Sequence, residues 1–275
     1  MLRRHGRTSP SARLIRMAVA GVIWIAASSS MALAQQFQNP PMIVTALDPV
    51  GLVTGDWNGD GHQDLIYVET GDSPTLHLLS GNGKGGFTEG ISLQLPTGTC
   101  SYEVVTCTLL VGDFNKDGHP DILMAGNFPS GWGYIVLPGN GNGTFGTPIA
   151  STLPPSSSGG LATLVNAQAV VADLNGDGNL NIVAPDYIDN SINIYLGNGT
   201  GKFTPGTSLN DPLRPTAVYT ADVNHDGKKD LIVFNQDNGG AAIWLGDGAG
   251  GFTYSQTFPA NSASPVFVSR SVVPS

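Results

Sequence analysis

The chain has 275 residues, of which 12% are charged, with 12 Lys+Arg against 21 Asp+Glu and a formal net charge of −9. A protein this acidic and this poor in basic residues is a poor candidate for nucleic-acid binding, which depends on positively charged patches. The two cysteines, Cys100 and Cys107, lack the spacing of a zinc or redox motif.

Residues 1–34 are predicted to be a secretory signal peptide. Five arginines form a basic n-region, residues 17–27 are a short apolar run, and Ala32-Leu33-Ala34 is a small-x-small cleavage site before Gln35. A membrane anchor is the alternative, but the apolar run is too short to span a bilayer comfortably. We therefore expect an exported protein, secreted or at the cell surface, with the periplasm as an alternative, and no membrane span after cleavage. Cleavage leaves 7 basic against 21 acidic residues, a formal charge of −14.

A nine-residue loop pattern occurs four times, at residues 56–64, 113–121, 173–181 and 222–230. Every copy has Asp, Asn, Asp and Gly at positions one, three, five and six. Oxygen-bearing side chains at alternate positions suit Ca²⁺, position seven would offer its backbone carbonyl, and the glycine permits the sharp turn. Only the third copy has an amide, Asn181, at position nine, where the other copies have an aspartate. Because ligand charge tunes affinity, we expect the third site to be the weakest.

The loops resemble EF-hands but differ from them at position twelve. That position holds Tyr67, Met124, Ala184 or Val233, where an EF-hand requires a bidentate glutamate between two helices. The residues around position twelve form short apolar, β-branched runs, which predict buried strands. The same difference counts against the dockerin-type calcium loop.

Each loop belongs to a repeat unit of four apolar segments, which in the first unit lie near residues 43–55, 64–69, 75–79 and 86–95. A glycine-rich turn separates the third and fourth segments, at residues 81–87, 139–145, 197–203 and 246–252. Asn-Gly and Asp-Gly steps indicate hairpins because they tolerate positive φ. The turns at 81–87 and 246–252 match the dinucleotide fingerprint formally, but that motif requires a following helix, and here a strand follows.

The phenylalanines that end the turns are predicted core residues, and they report the period of the repeat. Phe87, Phe145 and Phe203 are 58 residues apart, and Phe252 follows after 49. Four strands per unit at this period predict an all-β fold, a β-propeller of four-stranded antiparallel blades. The blades are expected at about residues 42–95, 103–152, 165–209 and 214–258, within one repeat domain over 35–275.

The loop Asp-x-Asn-x-Asp-Gly-x-x-Asp, followed by Gly-Asn-Gly-x-Gly-x-Phe, resembles the FG-GAP/VCBS-type repeat of integrin alpha-chain propellers and many secreted bacterial proteins. The resemblance covers about residues 43–258 and implies up to four Ca²⁺ ions, each held between the first and second strands of a blade. It implies as metal ligands positions one, three, five, seven and nine of each loop: Asp56, Asn58, Asp60, His62, Asp64, Asp113, Asn115, Asp117, His119, Asp121, Asp173, Asn175, Asp177, Asn179, Asn181, Asp222, Asn224, Asp226, Lys228 and Asp230.

Four blades are few for such a propeller, which usually closes with about seven. After the fourth blade, residues 265–268 align with residues 215–218, the first strand of blade four, so 264–273 reads as an orphan first strand. The ring is therefore either a small closed one or an incomplete, open arc. We expect the open arc, which would expose an apolar face and self-associate or need another chain.

No residue pattern indicates catalysis. The chain has no Gly-x-Ser-x-Gly elbow and no His-Glu-x-x-His motif, and most of its carboxylates lie in the calcium loops. His62, His119 and His225 are expected to be solvated loop residues, and the aromatic residues Trp132, Tyr134, Tyr195 and Trp244 to pack between blades. We expect a non-enzymatic adhesion or binding scaffold for an extracellular protein or glycan. The alternatives are the propeller portion of a polysaccharide-active hydrolase or lyase, and a purely structural fragment.

Cys100 and Cys107 are predicted to form a disulfide, because exported chains permit bridges and two arms of a hairpin would bring the pair together. A pair of buried free thiols is the alternative. Because this disulfide would close a short loop, it is expected to stabilise the folded state by an amount near the low end of the range for disulfides, about 2 kcal/mol. Intact-mass measurement after alkylation without reductant should show no labelled thiol, whereas two labels would refute the bridge.

Overall fold

The structure is a computed structural model, and it describes residues 49–69, 73–99, 108–128, 131–152, 168–237 and 239–259. All of these residues lie in one compact unit, Thr45–Ser275. The predicted signal peptide, both cysteines and the segment 264–273 lie outside the described residues. In the ranges described there is no helix, and accordingly none long and apolar enough to cross a membrane.

Sixteen strands form four antiparallel sheets, each a simple up-and-down meander in chain order. Blade one contains β1 (Pro49–Gly55), β2 (Asp64–Glu69), β3 (Thr75–Gly81) and β4 (Phe87–Gln94). Blade two contains β5 (Leu109–Gly112), β6 (Asp121–Phe128), β7 (Gly131–Leu137) and β8 (Ile149–Thr152). Blade three contains β9 (Val170–Ala172), β10 (Asn181–Asp186), β11 (Ser191–Gly197) and β12 (Phe203–Asn210). Blade four contains β13 (Pro215–Ala221), β14 (Asp230–Asn235), β15 (Ala241–Gly246) and β16 (Phe252–Phe258).

The second strands of blades two and three are apolar on both faces because neighbouring blades cover both of their faces. In blade two, Ile122 and Met124 pack against blade one, while Leu123 packs against blade three. In blade three, Ile182 packs toward blade two and Val183 toward blade four. Since successive side chains of a strand point to opposite faces, a short continuous apolar run supplies two cores at once.

Three hydrophobic cores therefore lie between the four blades. The core between blades one and two contains Trp57, Ile66 and Leu78 facing Ile122 and Leu137. The corresponding residues between blades two and three are Phe114, Tyr134, Ile182, Tyr195 and Phe203, and between three and four Leu174, Val183, Ile194, Val218 and Leu231. The predicted inter-blade packing of Tyr134 and Tyr195 is confirmed, and Trp244 packs against the core between blades three and four.

The first strands follow one another in order: β1 contacts β5, β5 contacts β9, and β9 contacts β13. Among the described strands, β13 and β1 make no comparable contact. The predicted all-β architecture of four-stranded blades is confirmed, and the four sheets form an open propeller.

A buried hydrogen bond fastens blade two to blade three. Tyr134 on β7 is fully buried, and its hydroxyl accepts a hydrogen bond from the backbone N–H of Phe203 at 2.7 Å. The Phe203 ring meets the Tyr134 ring edge-on, with centroids 5.2 Å apart. Burial raises the pKa of Tyr134 above its usual value, so the phenol stays protonated in this core.

Tyr134→Phe is expected to lower the free energy of unfolding by about 1–3 kcal/mol, because it leaves the Phe203 N–H buried without its acceptor. Tyr254→Phe is the matched control, since Tyr254 is 50% exposed and its hydroxyl shares a hydrogen bond with the Thr257 hydroxyl. Urea unfolding of both variants checks this. Equal losses would mean that the buried bond is not specifically stabilising.

Candidate metal-binding loops

All four candidate loops occupy the same place in their blades. Each connects the first strand of a blade to the second, so position nine is the first residue of β2, β6, β10 or β14. The side chains of positions one, three and five lie in the turn between these strands. The four repeats in the sequence thus become four equivalent sites along one edge of the sheets.

The carboxylate at position one organises the turn. In the first loop, Oδ1 of Asp56 accepts hydrogen bonds from the N–H groups of Gly59 (2.8 Å) and Asp60 (3.1 Å), and Oδ2 accepts one from Gly61 (2.9 Å). Asp113, Asp173 and Asp222 likewise each accept two backbone N–H groups of their own loops. The backbone therefore wraps around this carboxylate.

Positions three and five continue the same arrangement. The amide oxygen at position three accepts the N–H of position five, at 2.9 Å in the first loop and 3.0 Å in the second. The carboxylate at position five accepts the N–H of position seven, at 2.8 Å and 2.9 Å respectively. Loops three and four repeat both bonds. Side-chain oxygens from three alternate positions thus converge on one short turn.

The position-five carboxylates of loops three and four are exposed, and local donors act on them. The N–H of Asn179 is the main cause that holds the pKa of Asp177 below its usual value. The N–H of Lys228 does the same for Asp226, whose Oδ2 also lies 3.8 Å from Nζ of Lys228. These carboxylates are therefore ionised at neutral pH and can bind a cation.

Position seven lies over the glycine-rich turn of its own blade. A Cβ at Gly83 would lie 2.7 Å from Nδ1 of His62, and His119 covers Gly141 in the same way. Asn179 and Lys228 cover Gly199 and Gly248. Glycine is therefore favoured as the third residue of each turn because its φ is positive. At Gly83, Gly141 and Gly199 an added Cβ would also crowd the position-seven side chain.

Position nine has a second role, which the sequence interpretation missed. The carboxylate of Asp64 is fully buried, with Oδ2 accepting the N–H of Trp57 (3.0 Å) and Oδ1 accepting the N–H of Gly81 (2.8 Å). Asp121 accepts the N–H groups of Phe114, Asn115 and Gly139, and Asp230 those of Val223 and Gly246. One side chain thus joins the loop, the second strand and the glycine-rich turn.

The sequence did contain a signal for this role. The first glycine of each turn stands 16 to 18 residues after position nine in all four repeats. A side chain at Gly81 would also collide with the carbonyl of Gln63, so this glycine is required for close backbone approach. The two sequence motifs are therefore parts of one structural unit.

Three of these buried carboxylates have no cationic partner. Within the described part of the chain, no Lys, Arg or His lies in ion-pair distance of Asp64, Asp121 or Asp230. Burial raises the pKa of the Asp121 carboxyl, although the N–H groups of Gly139 and Phe114 oppose this. Among described residues, no three His, Cys, Asp or Glu side chains form a metal-binding group.

In these loops, position nine faces backbone donors and position three contributes an amide oxygen. The donor set of carboxylates, amide and carbonyl oxygens suits a hard cation.

The third loop differs from the others at position nine and in its neighbours. Asn181 accepts the N–H of Gly197 at 3.1 Å through Oδ1, and its Nδ2 donates to Oδ1 of Asn175, at position three, at 3.4 Å. A Cβ at Gly178 would lie 3.3 Å from Nζ of Lys116, which reaches across from loop two and is a minor cause of the lowered pKa of Asp177. In this loop, the Asn181 amide therefore donates to the position-three oxygen, and the Lys116 ammonium lies near the turn.

Loops one and two also contact the blade that follows. The N–H of Gly143 in blade two donates to the carbonyl of Trp57 in loop one at 2.9 Å. The N–H of Gly201 in blade three donates to the carbonyl of Phe114 in loop two at 2.8 Å. The conformation of a loop therefore bears directly on how two blades are joined.

The comparison with known families finds one match. The sequence pattern described as an FG-GAP-like repeat matches residues 56–124, 113–184 and 173–233, which together span more than half of the chain. No protein with a curated description matches.

Solved structures with a similar chain path have low sequence identity. A putative 6-phosphogluconolactonase from Bacteroides uniformis is 14% identical over 81% of this chain and 60% of its own, with a TM-score of 0.48. The structure of BBS1N in complex with ARL6DN is 14% identical over 81% of this chain and 60% of that chain, with a TM-score of 0.47. A β-fructofuranosidase from Schwanniomyces occidentalis is 13% identical over 80% and 48%, with a TM-score of 0.47. The chain thus spans about half to 60% of the length of these proteins.

Asp230→Asn is expected to lower the free energy of unfolding by about 1–3 kcal/mol in chelator, because one amide oxygen cannot replace two buried acceptors, and an N–H is left unpaired. Asp237→Asn is the control, since that exposed carboxylate forms only a 3.7 Å surface pair with Arg214. Chemical denaturation in chelator measures both. If the two variants lose the same stability, position nine does not brace the blade.

Proposed function

Because this chain belongs to the FG-GAP-like repeat family, we propose that it is an exported, calcium-binding propeller that serves as a non-enzymatic binding scaffold. One observation carries the calcium part of the proposal. In four equivalent loops, the side-chain oxygens of positions one, three and five are held in one turn by the loop's own N–H groups. This arrangement orients oxygens from alternate positions as a hard cation requires.

The charge distribution supports a cation at these loops. Loops one, two and four each have three aspartates within nine residues, and one of the three is buried without a cationic partner among the described residues. Bound Ca²⁺ would offset both the repulsion and the burial of charge. Calcium fits better than magnesium, because Mg²⁺ demands near-ideal octahedral geometry and gives up its water reluctantly. The third loop, with Asn181 and the nearby Lys116, is proposed as the weakest site.

The proposal of a non-enzymatic scaffold is supported by the geometry of a group of polar side chains that resembles a catalytic site. Three side chains on neighbouring strands of blade one resemble a catalytic triad. Nδ1 of His77 lies 2.9 Å from Oγ of Ser92, and its Nε2 lies 3.3 Å from Oε2 of Glu69. The Nε2 contact is close enough for an ion pair but lacks hydrogen-bond alignment. At the equivalent place in blade three, Ser208 donates to Asn193 at 2.8 Å. His77 and Ser92 are thus a cross-strand polar pair that recurs in the repeat, and Tyr67 stacks on the imidazole of His77.

Calcium is expected to raise the melting temperature of the chain that begins at Gln35, and chelator to lower it. A ligand that binds only the folded state adds about 2.7 kcal/mol per site at 100 times its Kd. Mg²⁺ at the same concentration should restore less stability. Asp56→Ala should reduce the calcium-dependent shift. Asp247→Ala should not, because Asp247 is an exposed carboxylate in a glycine-rich turn, outside the loops.

Identical melting curves in calcium and in chelator would contradict calcium binding. An equal loss of the shift in both variants would mean that general surface charge, and not the loop, is responsible.

The scaffold function is tested with a panel of glycans and extracellular-matrix proteins, measured with and without chelator. Retention of a partner in calcium, and its loss in Asp56→Ala but not in Asp247→Ala, is the expected result. Turnover of a polysaccharide that Ser92→Ala abolishes would instead support the alternative, the propeller portion of a polysaccharide-active hydrolase.

A further inference from the structure

Blade four presents an apolar face that no described residue covers. This blade-four face consists of Val223, Ile232, Phe234, Ile243 and Phe258. Val223, Phe234 and Phe258 are 39%, 43% and 53% exposed, and the two isoleucines are half-buried. These three are half of the large apolar residues exposed in the described part of the chain. Large apolar side chains clustered on one sheet face indicate an interaction surface.

The equivalent residues of the other blades are buried against the next blade. Counted from position one of each loop, Ile232 corresponds to Ile66, Leu123 and Val183, which are at most 1% exposed. Each of these three packs in the core shared with the following blade.

Val223 and Phe258, at the rim of the face, also correspond to residues that are buried in other blades. Val223 corresponds to Trp57, Phe114 and Leu174, which are at most 3% exposed, and Phe258 corresponds to the buried Leu209. The blade-four face is thus an inter-blade surface, built to receive the first strand of a following blade.

We propose that residues 265–268 of this chain bind the blade-four face as that first strand. Pro265 stands 50 residues after Pro215, the first residue of β13, and loops three and four are 49 residues apart. Val268 then takes the place of Val218, which is 1% exposed and packs in the core with Val183. By the same correspondence, Val268 meets Ile232.

The connecting chain is long enough for this placement. Four residues link β12, which ends at Asn210, to β13, which begins at Pro215. Six residues separate Phe258, the last residue of β16, from Pro265. The segment therefore reaches the same position relative to blade four that β13 occupies relative to blade three.

The composition of the segment also fits. Residues 259–269 contain no charged side chain, so packing them on the face buries no charge. Val266-Phe267-Val268 is more apolar than Thr216-Ala217-Val218, as expected for covering the exposed ring of Phe234. A second copy of the chain is a poorer occupant, because two chains with this acidic excess repel each other.

The junction between blades three and four shows how such a strand attaches. Gln168, just before β9, forms a parallel bridge with β13. Its N–H donates to the carbonyl of Thr216 at 3.1 Å, and its carbonyl accepts the N–H of Val218 at 3.0 Å. Side-chain packing and main-chain bonds thus act together where one blade receives the next.

Phe234→Trp places a fluorescent reporter on the face, and acrylamide quenching then measures its accessibility in the chain from Gln35. The expected result is a severalfold stronger quenching of this introduced indole when the chain is truncated after Pro259. Ile188→Trp is the control, because Ile188 is 50% exposed in a turn of blade three, away from this face, and its indole should be quenched equally in both chains. The fluorescence of the unsubstituted chain, full-length and truncated, is subtracted in each case.

A second measurement keeps the full chain length. Trypsin has one site after Phe258, at Arg270. Val266→Asp with Val268→Asp should speed cleavage there severalfold. Val272→Asp with Val273→Asp should not, because these two residues lie beyond residues 265–271, the counterparts of β13 at the 50-residue spacing.

Equal quenching of the Phe234→Trp reporter in both chains, together with equal cleavage in both tail variants, overturns the proposal. Shielding of that reporter that survives truncation and grows with protein concentration, with a dimer mass by light scattering, also overturns it in favour of a second copy. These outcomes are independent of calcium binding and of the scaffold function, since neither measurement involves a partner.

Discussion

The buried acceptor at position nine is the interaction on which each blade depends. In blades one, two and four, a single carboxylate accepts backbone N–H groups from the loop before it and from the glycine-rich turn that follows the third strand. It thereby fixes the start of the second strand relative to the end of the third. Because buried N–H groups without partners are costly, this one side chain decides the geometry of two connections at once.

The same acceptor links the electrostatics of the loops to the packing of the blades. Position nine is buried, while positions one and five are near the surface, so each loop leads from solvent into the blade. The carbonyl of position two in turn receives an N–H from the glycine-rich turn of the next blade, in loops one and two. A cation in a loop would therefore stabilise the junction between blades as well as the loop itself.

Packing between blades explains why the second strands are apolar on both faces and why the last blade differs. Ile66, Leu123 and Val183 are buried because a following blade covers them, whereas the equivalent Ile232 is only half-buried. The residues of blade four retain the character of an inter-blade surface, since Phe234 and Phe258 are large and apolar despite their exposure. The physical cost of such exposure is the reason that we propose residues 265–268 as its cover.

The sequence by itself determined the repeat, the strand content and the family, because the spacing of Asp, Asn and Gly and the short apolar runs are local signals. It also placed Tyr134, Tyr195 and Phe203 in the core, since aromatic residues recurring at one point of a repeat pack at one point of the fold. Only the tertiary structure decided that Asp64, Asp121 and Asp230 are buried braces, because their partners Gly81, Gly139 and Gly246 lie 16 to 18 residues further along the chain and meet them only in the folded blade. The count of four repeats predicted an open propeller, and the tertiary structure confirms it. Among the described strands, β13 and β1 make no contact comparable to those between the first strands of successive blades.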